Sequence, residues 1–152
     1  MRYRNNTRQL GIAMVEFTIV LPVLLLLLFA VTEIGRALVR YNTLTKAVQD
    51  GARYAAAYAL LGTTGAVTID ATLQTQTRNI VAYGNRAGTG SPLIAGLLPA
   101  QVNLVDLGGD QIRVDASYSY QPLLGVVLPN VGLGTSTSLS FVMQAAVSMR
   151  AL

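Results

Sequence analysis

The 152-residue chain is apolar, carries a formal charge of +4 and contains neither cysteine nor histidine. Those absences exclude a disulfide framework, thiol nucleophiles, histidine-based triads and the common zinc ligand sets. Arg2, Arg4 and Arg8 supply +3 of the charge, so the remainder carries only +1 and forms no basic patch for a nucleic acid. No two carboxylates share the i, i+3 or i, i+4 spacing of a paired site within a predicted helix, and no constellation for a catalyst, cofactor or metal is present.

The first element is an apolar helix. Residues 12–32 hold a single charge, Glu16, over a length that spans about 30 Å, the thickness of a bilayer core. The run LLLLL at 24–28 leaves no polar face, so this helix meets lipid or protein all round. Pro22 removes one backbone donor and is expected to bend the helix near Thr18, whose hydroxyl can offset part of that loss. Arg2, Arg4 and Arg8 before the span are balanced by Arg36, Arg40 and Lys46 after it, so the positive-inside bias is weak. A cleaved secretory signal fits poorly, because the apolar run is long, Glu16 interrupts its start and no small-x-small site follows Val31.

The helix continues past the apolar run. Ala37, Tyr41, Leu44, Val48, Ala52, Ala55 and Ala59 recur at three- and four-residue spacing, while Arg40, Asn42, Lys46, Gln49, Asp50 and Arg53 mostly take the other side. Glu33 and Arg36 are spaced for an i, i+3 ion pair at a solvated membrane exit. Gly62 is the expected C-cap, which gives one helix of about fifty residues. After a turn at 63–65, Asp70 caps a second helix that carries Leu73, Thr77, Ile80 and Val81 and ends near Gly84. The loop AGTGSP at 87–92 has the glycines of a phosphate loop but no Gly-Lys-Ser/Thr after them, so it is read as a plain loop.

The last third reads as strands. In QIRVDASYSYQ, Ile112, Val114, Ala116, Tyr118 and Tyr120 alternate with polar residues, and the shorter QVNLVDL precedes it across a turn at Gly108-Gly109. In SLSFVMQAAVSM, residues Leu139, Phe141, Met143, Ala145, Val147 and Met149 share one face. The tyrosines are read as core or edge packing. The apolar PLLGVVLPNVGLG at 122–134 is expected to cover the sheet edge or to face a neighbouring subunit. The fold class is therefore α+β: a long helix, transmembrane and then amphipathic, a short second helix, and a three-stranded antiparallel sheet packed on the long helix.

A basic leader, Gly11, four residues, Glu16, Phe17 and a long apolar helix together resemble the N-terminus of type IV prepilins and pseudopilins. The wording GIAMVEFTIVLPVLLLLLFAVTEIGRAL, through Pro22 and the Glu33-Ile-Gly-Arg36 region, is closest to the TadE-like minor pseudopilins of tight-adherence (Flp, type IVc) pili. QDGARYAA, VDASYSYQPL and the final AAVSMRAL are weaker echoes of the same arrangement. A type II secretion pseudopilin is the neighbouring alternative, but that branch would place Phe-Thr-Leu before the carboxylate.

The resemblance implies a pilin-like fold and a structural role without catalysis. It implies cleavage by prepilin peptidase between Gly11 and Ile12, so that residues 1–11 are a cytoplasmic leader, 12–32 a membrane helix, 33–62 its amphipathic half and 63–152 a periplasmic α+β domain. A glycine suits such a cleavage site because no side chain obstructs the approach of a protease to the backbone. Glu16 would then pair with the new ammonium of Ile12 in an adjacent subunit, whereas spacing alone leaves equal room for a carboxylate that merely snorkels to the interface. The partners implied are the peptidase, other pilins or pseudopilins with their assembly platform, and the lipid of a bacterial inner membrane; no nucleic acid and no cofactor is implied. From the membrane the protein could pass into an extracellular pilus. The rival reading is a single-pass binding module whose anchor stays uncleaved.

Overall fold

The structure, a computed structural model, describes residues 7–60, 66–122 and 140–152. Three helical elements and three strands follow one another: α1 (Thr7–Tyr58), α2 (Ala71–Tyr83), a 3-10 turn at Pro99–Gln101, β1 (Val102–Gly108), β2 (Gln111–Tyr120) and β3 (Phe141–Arg150). The chain divides into two units, Met1–Arg36 and Ala37–Leu152. The described residues of the first are the N-terminal part of α1. The second is the α+β body, with the strands in the order β1-β2-β3 and both pairings antiparallel, as the alternation predicts.

In the second unit the buried faces of α1, α2 and the sheet form one apolar cluster. Leu44, Val48, Ala52, Ala55 and Ala59 lie in it as their spacing predicts, joined by Ala47 and Ala56. Tyr41 does not, for it is 45% exposed. Arg40 turns inward instead, because it stands one full helical turn before Leu44, whereas Tyr41 is rotated toward solvent. Gly51 lies where α1 meets α2, and a Cβ there would run into Val81 Cγ2. Tyr54 reinforces the same contact by donating its hydroxyl to Gln76 Oε1.

The long helix ends at Tyr58, four residues short of the expected Gly62. Its carbonyls find other partners: Ala56 O accepts from Leu152 N at 2.9 Å and Ala59 O from Thr68 N at 2.8 Å, while Leu60 bridges to Val67. Gly62 itself and the turn at 63–65 lie outside the described residues, as do Leu139 and all but the first residue of the 122–134 segment.

α2 has the expected ends. Asp70 accepts from Leu73 N at 2.6 Å, and Gly84, at φ 75°, donates to Ile80 O. Leu73, Thr77, Val81 and Ala82 are its buried residues. In β2 all five alternate residues from Ile112 to Tyr120 are buried. The hairpin between β1 and β2 turns at Gly109 and Asp110, both with φ of 60°, the backbone of a type I′ turn. That is one residue later than the sequence suggests, because Gly108 still pairs with Gln111 after a register break beyond Asp106. On β3, Met143 and Ala145 are buried and Val147 and Met149 half-buried, but Phe141 is 50% exposed with its ring 5.1 Å from that of Tyr120.

Candidate functional site

Within the first unit α1 exposes its apolar side chains almost without interruption, from Ile12 to Ile34. The helix is long and apolar enough to cross a membrane, its most apolar window having a mean hydropathy of 2.7 with none of it buried. Lipid or protein must cover such a surface, since water would leave every one of these side chains unfavourably hydrated.

Gly11 and Ile12 lie inside this helix, both exposed. The backbone of Gly11 has no positive φ, and a Cβ placed on it would meet nothing within 4 Å. Neither conformation nor packing in this chain therefore requires a glycine there, although glycine costs a helix about 0.5–1 kcal/mol relative to alanine. An open notch beside it is lined by Gly11, Ile12, Val15, Glu16 and Ile19. Glu16 stands one turn beyond Ile12, exposed, with no hydrogen bond or ion pair among the described residues. A carboxylate so placed has its full accepting capacity free.

Phe17 is 59% exposed beside it. Pro22 is carried within the helix, and its missing N–H leaves the Thr18 carbonyl without the usual donor. The Thr18 hydroxyl does not take over that role: it donates to Met14 O at 2.8 Å, one turn back. Glu33 and Arg36 form the expected pair at 3.4 Å, with side chains only 14% and 31% exposed, so the pair is more enclosed than a solvated exit.

Residues 11–53 match the family model described as TadE-like protein. This segment is TadE-like. No curated protein and no solved structure matches the chain. The TadE-like family is one of structural components of the Tad pilus system, and the resemblance read from GIAMVEFTIV through the Glu33-Ile-Gly-Arg36 region falls inside the matched residues. The echoes in VDASYSYQPL and AAVSMRAL fall outside them. Gly11, Ile12, Glu16, Phe17, Pro22, Glu33 and Arg36 thus all belong to the TadE-like segment, strung along one helix rather than gathered into a pocket.

The TadE-like segment also contains a residue whose role the alternation hides. Arg40 places its guanidinium 5.2 Å from the centre of the Tyr120 ring and donates through one nitrogen to the Tyr118 hydroxyl at 3.0 Å and to Gln121 O at 3.4 Å. Tyr118 in turn donates to Ala95 O at 3.1 Å. One cation thereby ties α1, the end of β2 and the loop before the 3-10 turn together, in the second unit. The signal was available in the sequence, since Arg40 lies on the same helical row as Leu44, but its charge sets it on the wrong side of a simple polar/apolar division.

Proposed function

We propose that this protein is a minor pseudopilin of a tight-adherence (type IVc) pilus, made as an inner-membrane precursor and cleaved by prepilin peptidase between Gly11 and Ile12. The leader with its three arginines lies in the cytoplasm, and the α+β unit lies in the periplasm. Cleavage removes the positive charge that holds the N-terminus in place and leaves an apolar end carrying one ammonium. The α-amino group so created has an ordinary pKa of about 7.7–8.0 and is largely cationic at neutral pH. The Glu16 carboxylate of a neighbouring subunit answers it, and the two helices dock in one register.

The observation that carries this reading is the Glu16 carboxylate, unpartnered among the described residues, on the exposed apolar stretch of α1 at 12–32, one turn past Ile12, within the TadE-like segment. A charge in a membrane-length helix that finds no partner among the described residues is a liability unless another chain supplies one. The helix itself is the assembly element, with Phe17, Pro22, Glu33 and Arg36 shaping it. The remaining partners are other pilus subunits and the platform that adds them.

Intact-mass measurement of the membrane form, from cells with and without prepilin peptidase, tests the reading. Loss of residues 1–11 only where the peptidase is present supports it; an intact Met1 in both overturns it and returns the chain to the class of uncleaved membrane binding modules. Gly11→Leu should leave the full-length form in the membrane even with the peptidase present.

A further inference from the structure

Gly11 and Ile12 are the fifth and sixth residues of α1, which begins at Thr7. In an α-helix each carbonyl accepts from the N–H four residues on. The Gly11 carbonyl is therefore held by the Val15 amide, and the Ile12 N–H is held by the Arg8 carbonyl. The peptide bond between Gly11 and Ile12 is fixed on both sides by the ladder. Its hydrolysis needs both sides free. The oxygen of a water goes to the Gly11 carbonyl carbon, the C–N bond breaks, and both protons of that water end on the Ile12 nitrogen, leaving a carboxylate and an ammonium. A protease stabilises the oxyanion that forms on the way with donors about 3 Å from it. While the helix is closed, the Val15 N–H occupies that place.

The position of the bond makes opening feasible. A helix frays at its ends, whereas opening in its middle leaves a second helix that must be nucleated anew. Freed from the leader end, the Gly11 carbonyl requires only the ladder bonds accepted by residues 7–11 to break. Just beyond that stretch stands a clasp: Met14 O accepts from the Thr18 hydroxyl at 2.8 Å. Pro22, which removes a ladder bond of its own, lies too deep in α1 to ease the opening. Gly11 lies within the stretch, at no positive φ and with nothing within 4 Å of a Cβ placed on it. The chain has room for an alanine there, and an alanine would hold the helix more firmly.

We propose that Gly11 is a positioning residue that sets how readily the first turns of α1 open, and that prepilin peptidase acts on the opened form. The proposal rests on the preceding reading for the cleavage itself and adds what governs its rate. Arg8, three residues before Gly11, keeps the opening stretch at the boundary with water, which can satisfy the freed backbone groups as lipid cannot. Gly35 is the internal control. Its surroundings are equally open, but it stands deep within α1, where weakening the helix does not release the Gly11 carbonyl.

Two measurements on the full-length chain in detergent test the proposal. One is kcat/KM with purified prepilin peptidase, read as loss of residues 1–11 by intact mass. The other is hydrogen exchange at the Val15 amide of the chain alone, since release of that amide is what frees the Gly11 carbonyl. Gly11→Ala should lower both by about two- to fivefold, the factor to which the helix cost of glycine relative to alanine converts. Ala13→Gly, at an exposed position just past Ile12, should raise both by about the same factor. The double variant should return both to the level of the natural sequence, and Gly35→Ala should change neither. A double variant cut as slowly as Gly11→Ala overturns the proposal, because the peptidase would then be selecting the shape of residue 11 and not the state of the helix. Val15 exchange that shifts among the variants while cleavage fails to follow overturns it too. A natural sequence left uncut sinks the pseudopilin reading itself, whereas cleavage between Gly11 and Ile12 at one rate in every variant sinks the opening alone.

Discussion

Thr77 and Arg40 show opposite treatments of a polar group in the second unit. Thr77 is fully buried and its hydroxyl has no partner among the described residues. An unmade hydrogen bond in a dry site costs about 1–3 kcal/mol, so Thr77→Val, which keeps the shape, should raise stability by about 1 kcal/mol in urea unfolding of the full chain in detergent. Arg40, by contrast, uses its charge on an aromatic face and two oxygens. Arg40→Met should lower stability by about 1–3 kcal/mol, and Arg40→Lys should recover little of it, because an ammonium cannot stack on Tyr120 as a planar guanidinium does. Glu16 is a third case, an exposed carboxylate with no partner among the described residues, for which the proposed function supplies one in a neighbouring subunit. Glu16→Ala should leave cleavage intact and impair pilus formation, read by the processed mass in membranes and by the yield of sheared pili; normal pili from that variant would refute the pairing. Of these three, only Glu16 stood out in the sequence, since a lone carboxylate in an apolar run is visible without a fold. Arg40 and Thr77 acquire meaning only from what packs over them.

At the scale of elements, α1 carries three glycines with different surroundings. Gly51 is held against Val81, whereas Gly11 and Gly35 have nothing within 4 Å of a Cβ. Gly51→Val should therefore push α2 away and cost about 1–3 kcal/mol, while Gly35→Ala should leave the fold unchanged or raise helix stability by about 0.5–1 kcal/mol, both checked by thermal melts followed by circular dichroism. The identity of both α-helices and all three strands was legible in the sequence, whereas the 3-10 turn at Pro99–Gln101 was not. Period-two alternation picked out β2, and Asp70 and Gly84 bracketed α2, because those signals are local. What local signals cannot carry is the end of α1. Gly62 is the natural stop by propensity, but distant residues, Leu152 and Thr68, take the carbonyls of Ala56 and Ala59 and end the helix sooner. The hairpin slipped by one residue for a related reason: two glycines and an aspartate can all adopt positive φ, and pairing across the sheet selects which two make the turn.

For the molecule as a whole, the two units solve different problems. The described part of Met1–Arg36 offers an exposed apolar surface that carries Glu16, and Ala37–Leu152 buries its own core. Removal of residues 141–152 should leave the apolar helix able to insert in a membrane while uncovering Ile112, Val114 and Tyr118 on β2. Limited proteolysis should then degrade the second unit of that truncation and spare the intact chain. The TadE-like match covers 11–53 and therefore spans parts of both units, which is why the N-terminal helix announced its family while the sheet announced only its architecture.

The Leu152 amide that closes on Ala56 has a consequence in time as well as space. A ribosome makes the α1 stripe long before β3 and the Leu152 amide that complete its cover. Until then an alanine-rich helical face of the second unit waits without that cover. The second unit therefore finishes folding only after β3 and Leu152 have been made, so its completion is a late, long-range step that formation of the helix alone cannot trigger.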